Sequence, residues 1–134
     1  METIAEEIAA RVTHLDYEGL AELYRVDALL DVSVPQWHFQ LQGRDAIRAW
    51  LREELDGIGA PTHVSASRTT TTADGVLVEL EVRFGGDGDE GRWREVHLFA
   101  TDGSAITRHA NYCTGVWDAA TIARHAVEAP MVER

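Results

Sequence analysis

Four residues within one stretch carry side chains suited to moving protons: Glu95, His97, His109 and Asn111, in RWREVHLFATDGSAITRHANYCT, residues 92–114. The stretch reads as two strands joined by Thr101-Asp102-Gly103-Ser104, because Asp-Gly between alternating segments is a strong hairpin signal. Side chains alternate faces along a strand. Trp93, Glu95, His97 and Phe99 therefore share one face, opposite Arg94, Val96 and Leu98. On the second strand Thr107, His109, Asn111 and Cys113 lie opposite Ile106, Arg108, Ala110 and Tyr112. Histidine is the side chain most readily tuned near neutral pH, which suits general acid–base work. The pattern predicts a pocket in which His97 is the main acid or base. His109 and Asn111 would orient it or stabilise an enolate oxygen. Glu95, Phe99 and Cys113 are expected in the lining. The competing expectation is a pair of packed histidines, each donating to a neighbour such as Glu95. A direct Glu95–His97 hydrogen bond is disfavoured, since same-face residues two apart stand roughly 6–7 Å apart along a strand.

Other candidates are weaker. Tyr17, Tyr24, Trp37 and Trp50 are aromatic and suit either a ligand wall or the core. Tyr17 and Trp37 are assigned to the ligand, Trp37 because it follows Pro35 near a mouth, and Trp50 to the core. His63 opens a strand and is a candidate for the lining. Asp31 suits a salt bridge, or catalysis if a bulge shifts its phase. Asp16 suits a helix cap. Cys113 is the single cysteine, so no disulfide within the chain and no cysteine zinc site is possible. No HExxH or similar spacing joins the histidines, and no metal or other cofactor is expected.

The elements that must position these residues follow from periodicity. Ile4, Ile8, Val12 and Leu15 have helical spacing over residues 3–14. A second helix after Asp16 takes Leu20, Leu23 and Tyr24 as its apolar stripe. From Ala28, Leu30, Val32 and Val34 alternate as a strand that Pro35 ends, and a short extended piece runs from Trp37 to Leu41. A third helix spans Arg44 to about Leu55, with Ile47, Trp50, Leu51 and Leu55 inward, the doublet Glu53-Glu54 outward, and Gly57 and Gly59 as its stop. Pro61 begins the sheet region. Strands cover Thr62–Thr72 and Val76–Phe84, then an acidic loop, Gly85–Gly91, leads into the hairpin. A last helix runs from Ala119 to about Ala126, capped by Asp118, and the tail at 129–132 can fold back over an opening. Helices grouped before strands make this an α+β chain. Its 134 residues form one domain, 1–134.

Composition narrows the function classes. The net charge is -11, and all 12 basic residues are arginine. Nucleic acid is excluded as a partner for want of clustered cations, and a Schiff-base lysine is excluded outright. No run approaches the roughly 18 apolar residues of a membrane span, and the acidic N-terminus is unlike a secretory signal. A cytoplasmic protein without membrane contact is expected. Arg92 and Arg94 are expected in surface pairs with Glu90 and Glu95.

The order of elements resembles the NTF2-like superfamily, and within it the SnoaL-like polyketide cyclase group. The residues that carry the likeness are Gly19-Leu20-Ala21-Glu22-Leu23-Tyr24, Ala28-Leu29-Leu30-Asp31-Val32, Gly43-Arg44-Asp45-Ala46-Ile47 and Asp102-Gly103-Ser104-Ala105-Ile106-Thr107-Arg108. The resemblance implies three N-terminal helices packed on a curved antiparallel sheet, with a short C-terminal helix and a conical cavity between them. It also implies a homodimer. Members include cyclases, ketosteroid isomerase, scytalone dehydratase, limonene epoxide hydrolase and proteins without chemistry. Where ketosteroid isomerase has its base, oxyanion-hole tyrosine and oxyanion-hole acid, this chain is similar in position but carries Val32, Ile8 and His97, which argues against that mechanism. The same likeness turns His97, His109, Asn111 and Cys113 toward the cavity. Scytalone dehydratase implies comparable roles for His63, His97, Asn111, Asp16 or Asp31, and Tyr17. The expected activity is cofactor-independent cyclisation, isomerisation or dehydration of a hydrophobic polyketide- or terpenoid-like molecule. The alternative is a non-catalytic ligand-binding or dimeric interaction module.

Overall fold

The computed structural model describes residues 2–57, 62–86 and 88–133; the expected helix stop at Gly59, the sheet start at Pro61 and loop residue Asp87 lie outside them. Helix α1 (Ile4–Thr13) opens with a reciprocal capping box between Thr3 and Glu6. Helix α2 (Tyr17–Ala21) is short, and the Asp16 carboxylate caps it by accepting from the Gly19 N–H. Strands β1 (Tyr24–Val34) and β2 (Trp37–Gln42) form a hairpin ahead of helix α3 (Arg44–Asp56). Strands β3 (Thr62–Thr71), β4 (Gly75–Phe84), β5 (Gly91–Thr101) and β6 (Ile106–Cys113) follow, and helix α4 (Ala119–Glu128) closes the order behind its Asp118 cap.

The six strands make one curved sheet in the order β2-β1-β6-β5-β4-β3. All pairs are antiparallel except β1–β6, which is parallel, a pairing the hairpin pattern did not anticipate. Helices α1 to α3 cover one face. Ile8 and Val12 of α1, Leu20 of α2, and Ile47 and Leu51 of α3 are buried with Leu30, Val32, Val76, Val78 and Val82 of the sheet. Alternation explains the strands: Val76, Val78, Leu80 and Val82 all point inward on β4. Gly75 starts that strand because a Cβ there would lie 1.8 Å from the Phe99 carbonyl oxygen. The β5–β6 turn is held by Asp102, whose carboxylate accepts from the backbone N–H groups of Ser104 and Ala105. Those bonds pull its pKa down to about 2.

Three expectations are corrected. Tyr24 does not extend the second helix. Helix α2 ends at Ala21, and Tyr24 pairs with Ile106 as the first residue of β1. Ile106 is buried on the same side as His109 despite its opposite phase, because the β5–β6 register shifts between Ala100 and Thr101. Arg92 forms no pair with Glu90. Its guanidinium lies 4.7 Å from the centre of the Trp117 ring and 3.2 Å from His125 Nδ1, at the junction with α4.

Ile47 is fully buried where α3 meets the sheet. The Ile47→Ala variant should lose about 2–5 kcal/mol of stability. Urea unfolding checks this, and a loss below about 1 kcal/mol would show that α3 is not clamped there.

Candidate active site

Cross-strand register brings the polar residues together. His97 stands opposite Asn111, Phe99 opposite His109 and Glu95 opposite Cys113. On the other side of β6, β1 sets Leu30 beside His109 and Val32 beside Asn111. Glu95, His97, His109 and Asn111 are all buried on the helix-covered face. Burying polar groups is costly unless they are hydrogen-bonded, and here they bond to one another. His97 Nε2 is 2.7 Å from Glu95 Oε1, and His97 Nδ1 is 2.8 Å from His109 Nε2. His109 Nδ1 is 2.6 Å from Tyr24 Oη. The Asn111 amide nitrogen is 3.2 Å from His97 Nδ1. The direct Glu95–His97 bond overturns the expectation from strand spacing. Two long side chains leaning toward each other span the gap between their backbones. Tyr24 is the member that sequence reading missed. No clean local signal marked it: Tyr24 has the phase of Ala28, Leu30 and Val32, but Val26 between them is exposed and the β1–β6 register slips between Tyr24 and Leu29.

The order of protons follows from the acceptors. A carboxylate only accepts, so His97 Nε2 donates to Glu95. With one proton on each ring, His97 Nδ1 accepts from His109 Nε2 and from the Asn111 amide, and His109 Nδ1 accepts from the Tyr24 hydroxyl. All four ring nitrogens are then engaged. The groups with acceptor capacity left for a ligand are the Glu95 carboxylate and the Asn111 amide oxygen.

Electrostatics keep this order. Burial, in first place, lowers the His109 pKa well below its ordinary value, and a proton added to the neighbouring His97 would lower it further. Burial also pushes the Glu95 pKa up, but His97, Asn111 and Trp93 beside it together outweigh burial, so the group is held ionised. Burial, with the charges of Glu95 and Glu54, raises the Tyr17 pKa well above that of a free phenol, so its O–H stays a donor. Cys113 is pushed up to about 11, chiefly by burial, and is a thiol.

These residues face a cavity of about 380 Å³. Its walls are Tyr17, Phe39, Trp50, Phe84 and Trp93, with Leu20, Val32, Val34 and Leu51 between them. Glu95, His97, His109, Asn111 and Cys113 supply the polar lining, and the exposed residues Glu53, Glu54, Gly57 and Val116 border the opening. Tyr17 is 8% exposed, and its hydroxyl has no hydrogen-bond partner among the described residues. Trp50, assigned to the core from sequence, is also a wall residue and meets Phe39 edge-on.

Several expected residues lie elsewhere. Phe99 is buried behind the cluster, stacked on His109 at 4.0 Å between ring centres, and supports the histidines without lining the cavity. His63 is exposed near the start of β3, whose register slips between Val64 and Ala66. Trp37 has the phase of Phe39 but sits at the tip of the β1–β2 hairpin, 69% exposed, past the reach of the helices. Asp31 is on the opposite face, accepting from His38 and Gln40 with Arg108 nearby. Asp16 is the α2 cap, and the tail with Met131 is exposed. Arg94 and Glu95 point to opposite faces and do not pair. Among the described residues no three His, Cys, Asp or Glu side chains are placed to hold a metal.

A histidine kept neutral by the fold gains a proton more readily in the unfolded chain. Its contribution is complete above about pH 6.5, the unfolded value, and declines as pH falls toward the folded value. Glu95 adds a second loss at lower pH, as its depressed folded pKa is crossed. The stability advantage of wild type over His109→Gln should therefore shrink between pH 7 and pH 5 in urea titrations. An advantage that is constant or grows on acidification would contradict a neutral His109.

The sequence matches the SnoaL-like domain over residues 5–109. No curated protein matches it. Solved structures show the same fold at low identity. A hypothetical protein with a ketosteroid isomerase-like fold from Catenulispora acidiphila, in complex with trimethylamine, has a TM-score of 0.60 and 21% identity, covering 84% of this chain and 85% of that one. A protein provisionally assigned as a polyketide cyclase from Pseudomonas putida has a TM-score of 0.63 and 17% identity, covering 84% and 92%. A phenazine biosynthesis-related protein from Pseudomonas aeruginosa has a TM-score of 0.63 and 14% identity, covering 98% and 90%.

Proposed function

The chain belongs to the SnoaL-like domain family, and from that premise we propose that it is a cofactor-independent enzyme of acid–base type. Its substrate is a hydrophobic, oxygenated ring compound of polyketide- or terpenoid-like character, and its reaction an isomerisation, dehydration or cyclisation. One observation carries this reading: an open, aromatic-walled cavity whose lining includes a buried, hydrogen-bonded Glu95–His97–His109 cluster. Structural polar networks also perturb ionisation, but this one meets an unfilled volume of substrate size.

The geometry redistributes the roles expected from sequence. His97 has both ring nitrogens engaged, so the proton exchanged with substrate is taken by the Glu95 carboxylate. His97 keeps its N–H on the other side of that group and holds it ionised in the resting state. A proton abstracted next to a substrate carbonyl passes to Glu95, and the electron pair moves onto the carbonyl oxygen. Tyr17, with its protonated and unpartnered hydroxyl, donates to that developing oxyanion. Glu95, whose ionised form is favoured, then returns the proton to a different carbon for isomerisation or to a departing hydroxyl for dehydration. His109, Asn111 and Tyr24 keep His97 in the tautomer this requires.

The test is to incubate wild type, Glu95→Gln and His97→Gln with small-molecule extract of the source organism and follow it by mass spectrometry. One compound should be consumed by wild type, with turnover lowered about a hundredfold or more in both variants. Unchanged consumption by a folded Glu95→Gln protein would remove the carboxylate from the chemistry. A compound enriched without change on all three proteins would make this a binding module.

A further inference from the structure

The opening of the cavity carries a charge imbalance. Glu53 and Glu54 border it, and Glu95 lies within. No arginine lines the cavity among the described residues, and the chain has no lysine. Two of the three arginines of α3 are turned away: Arg48 bonds Glu22 and Arg52 bonds Glu18, both on the side of α2. Neither Glu53 nor Glu54 has an ion-pair partner among the described residues. The carbonyl end of α3 reaches Gly57 at the same rim, and no basic residue occupies its last turn. A helix C-terminus carries partial negative charge, so the rim is negative by backbone as well as by side chain.

Crowded carboxylates resist ionisation together. Desolvation at the rim raises the Glu54 pKa, and the charges of Glu95 and then Glu53 raise it further. A cation seated there relieves this repulsion, whereas an anion adds to it. The aromatic walls behind the rim favour the same sign, because ring faces attract ammonium groups. Tyr17 supplies the independent pointer to a ligand: the residue is nine-tenths buried, it lines the cavity, and its hydroxyl has no partner among the described residues.

We propose that the cavity takes a small organic cation, a hydrophobic oxygenated ring bearing a protonated amine. The ring lies among the aromatic walls with an oxygen at Tyr17, and the ammonium is held at the rim by Glu53 and Glu54. The proposal deepens the acid–base reading and rests on it for what happens to the ring; the choice of charge rests on the rim alone.

Three probes of one shape separate sign from size: tyramine, 4-propylphenol and 3-(4-hydroxyphenyl)propionate, which are cationic, neutral and anionic at pH 7. Isothermal calorimetry on wild type should show tyramine binding at least about tenfold tighter than 4-propylphenol, a difference that two fixed charges beside the mouth of a largely apolar cavity supply, with the propionate weakest. In Glu53→Gln/Glu54→Gln that preference should collapse. In Glu2→Gln/Glu128→Gln, which removes equal charge away from the rim, it should persist. Binding of 4-propylphenol as tight as tyramine, a preference unchanged by the rim substitutions, or no binding of any probe would overturn the proposal. The calorimetry needs no turnover, so the two readings fail separately. A tyramine preference beside a fully active Glu95→Gln enzyme would sink the acid–base reading alone. Loss of the preference beside an inactive Glu95→Gln enzyme would sink the cation alone.

Discussion

The structure depends on one constraint: polar groups taken out of water on the concave face of the sheet have to satisfy one another. Tyr24, His109, His97 and Glu95 do so in a single line of hydrogen bonds, from a hydroxyl at one end to a carboxylate at the other. Each bond fixes which nitrogen of the next ring is protonated. The carboxylate end therefore stays ionised and His109 stays neutral. Leaving any buried member unpaired would cost about 1–3 kcal/mol, so the line is specified as strictly as an apolar core. It also links β1, β6 and β5 across the centre of the sheet, and the helices need only cover it.

That line gives the cavity two distinct ends. At one, Glu95 sits among aromatic and aliphatic walls, where water is scarce and a carboxylate acts strongly on whatever lies beside it. At the other, α3 presents its acidic turn to solvent. Tyr17 faces the space between them with its hydrogen-bonding capacity unused. A scaffold of this kind is shared by proteins with different chemistry, so the fold alone does not select a reaction. The selection here comes from particular residues: the Glu95 carboxylate, two histidines behind it, and no arginine in the lining among the described residues.

Much of this was legible in the sequence. The alternation Trp93, Glu95, His97, Phe99 needed no structure to read, and neither did a shared pocket with His109 and Asn111; the pairing of His97 with Asn111 depends on the register shift between Ala100 and Thr101, which the turn signal does not encode. The errors have physical causes. The Glu95–His97 bond was judged from backbone spacing, whereas side-chain reach decides it. Tyr24 fell at helical spacing after Leu20 and Leu23, and only pairing with Ile106 from far along the chain draws it into β1. Its bond to His109 crosses 85 positions, beyond any local pattern. His63 and Trp37 occupy a strand start and a hairpin tip, where phase does not determine whether another layer covers the residue. The Glu53-Glu54 doublet was read as solvated surface, and it is exposed. Its place on the cavity rim follows from how α3 crosses the sheet, which periodicity does not encode.

The nitrogen resonances of the histidine rings report the direction of the buried line. Proteins labelled with nitrogen-15 in histidine, with His109→Gln used for assignment, would be recorded at neutral pH by long-range proton–nitrogen correlation. His109 should be uncharged, with its proton on Nε2 and a bare Nδ1 facing Tyr24. A doubly protonated His109, or a neutral ring with its proton on Nδ1, would mean that the line runs the other way and that Glu95 is not held as described.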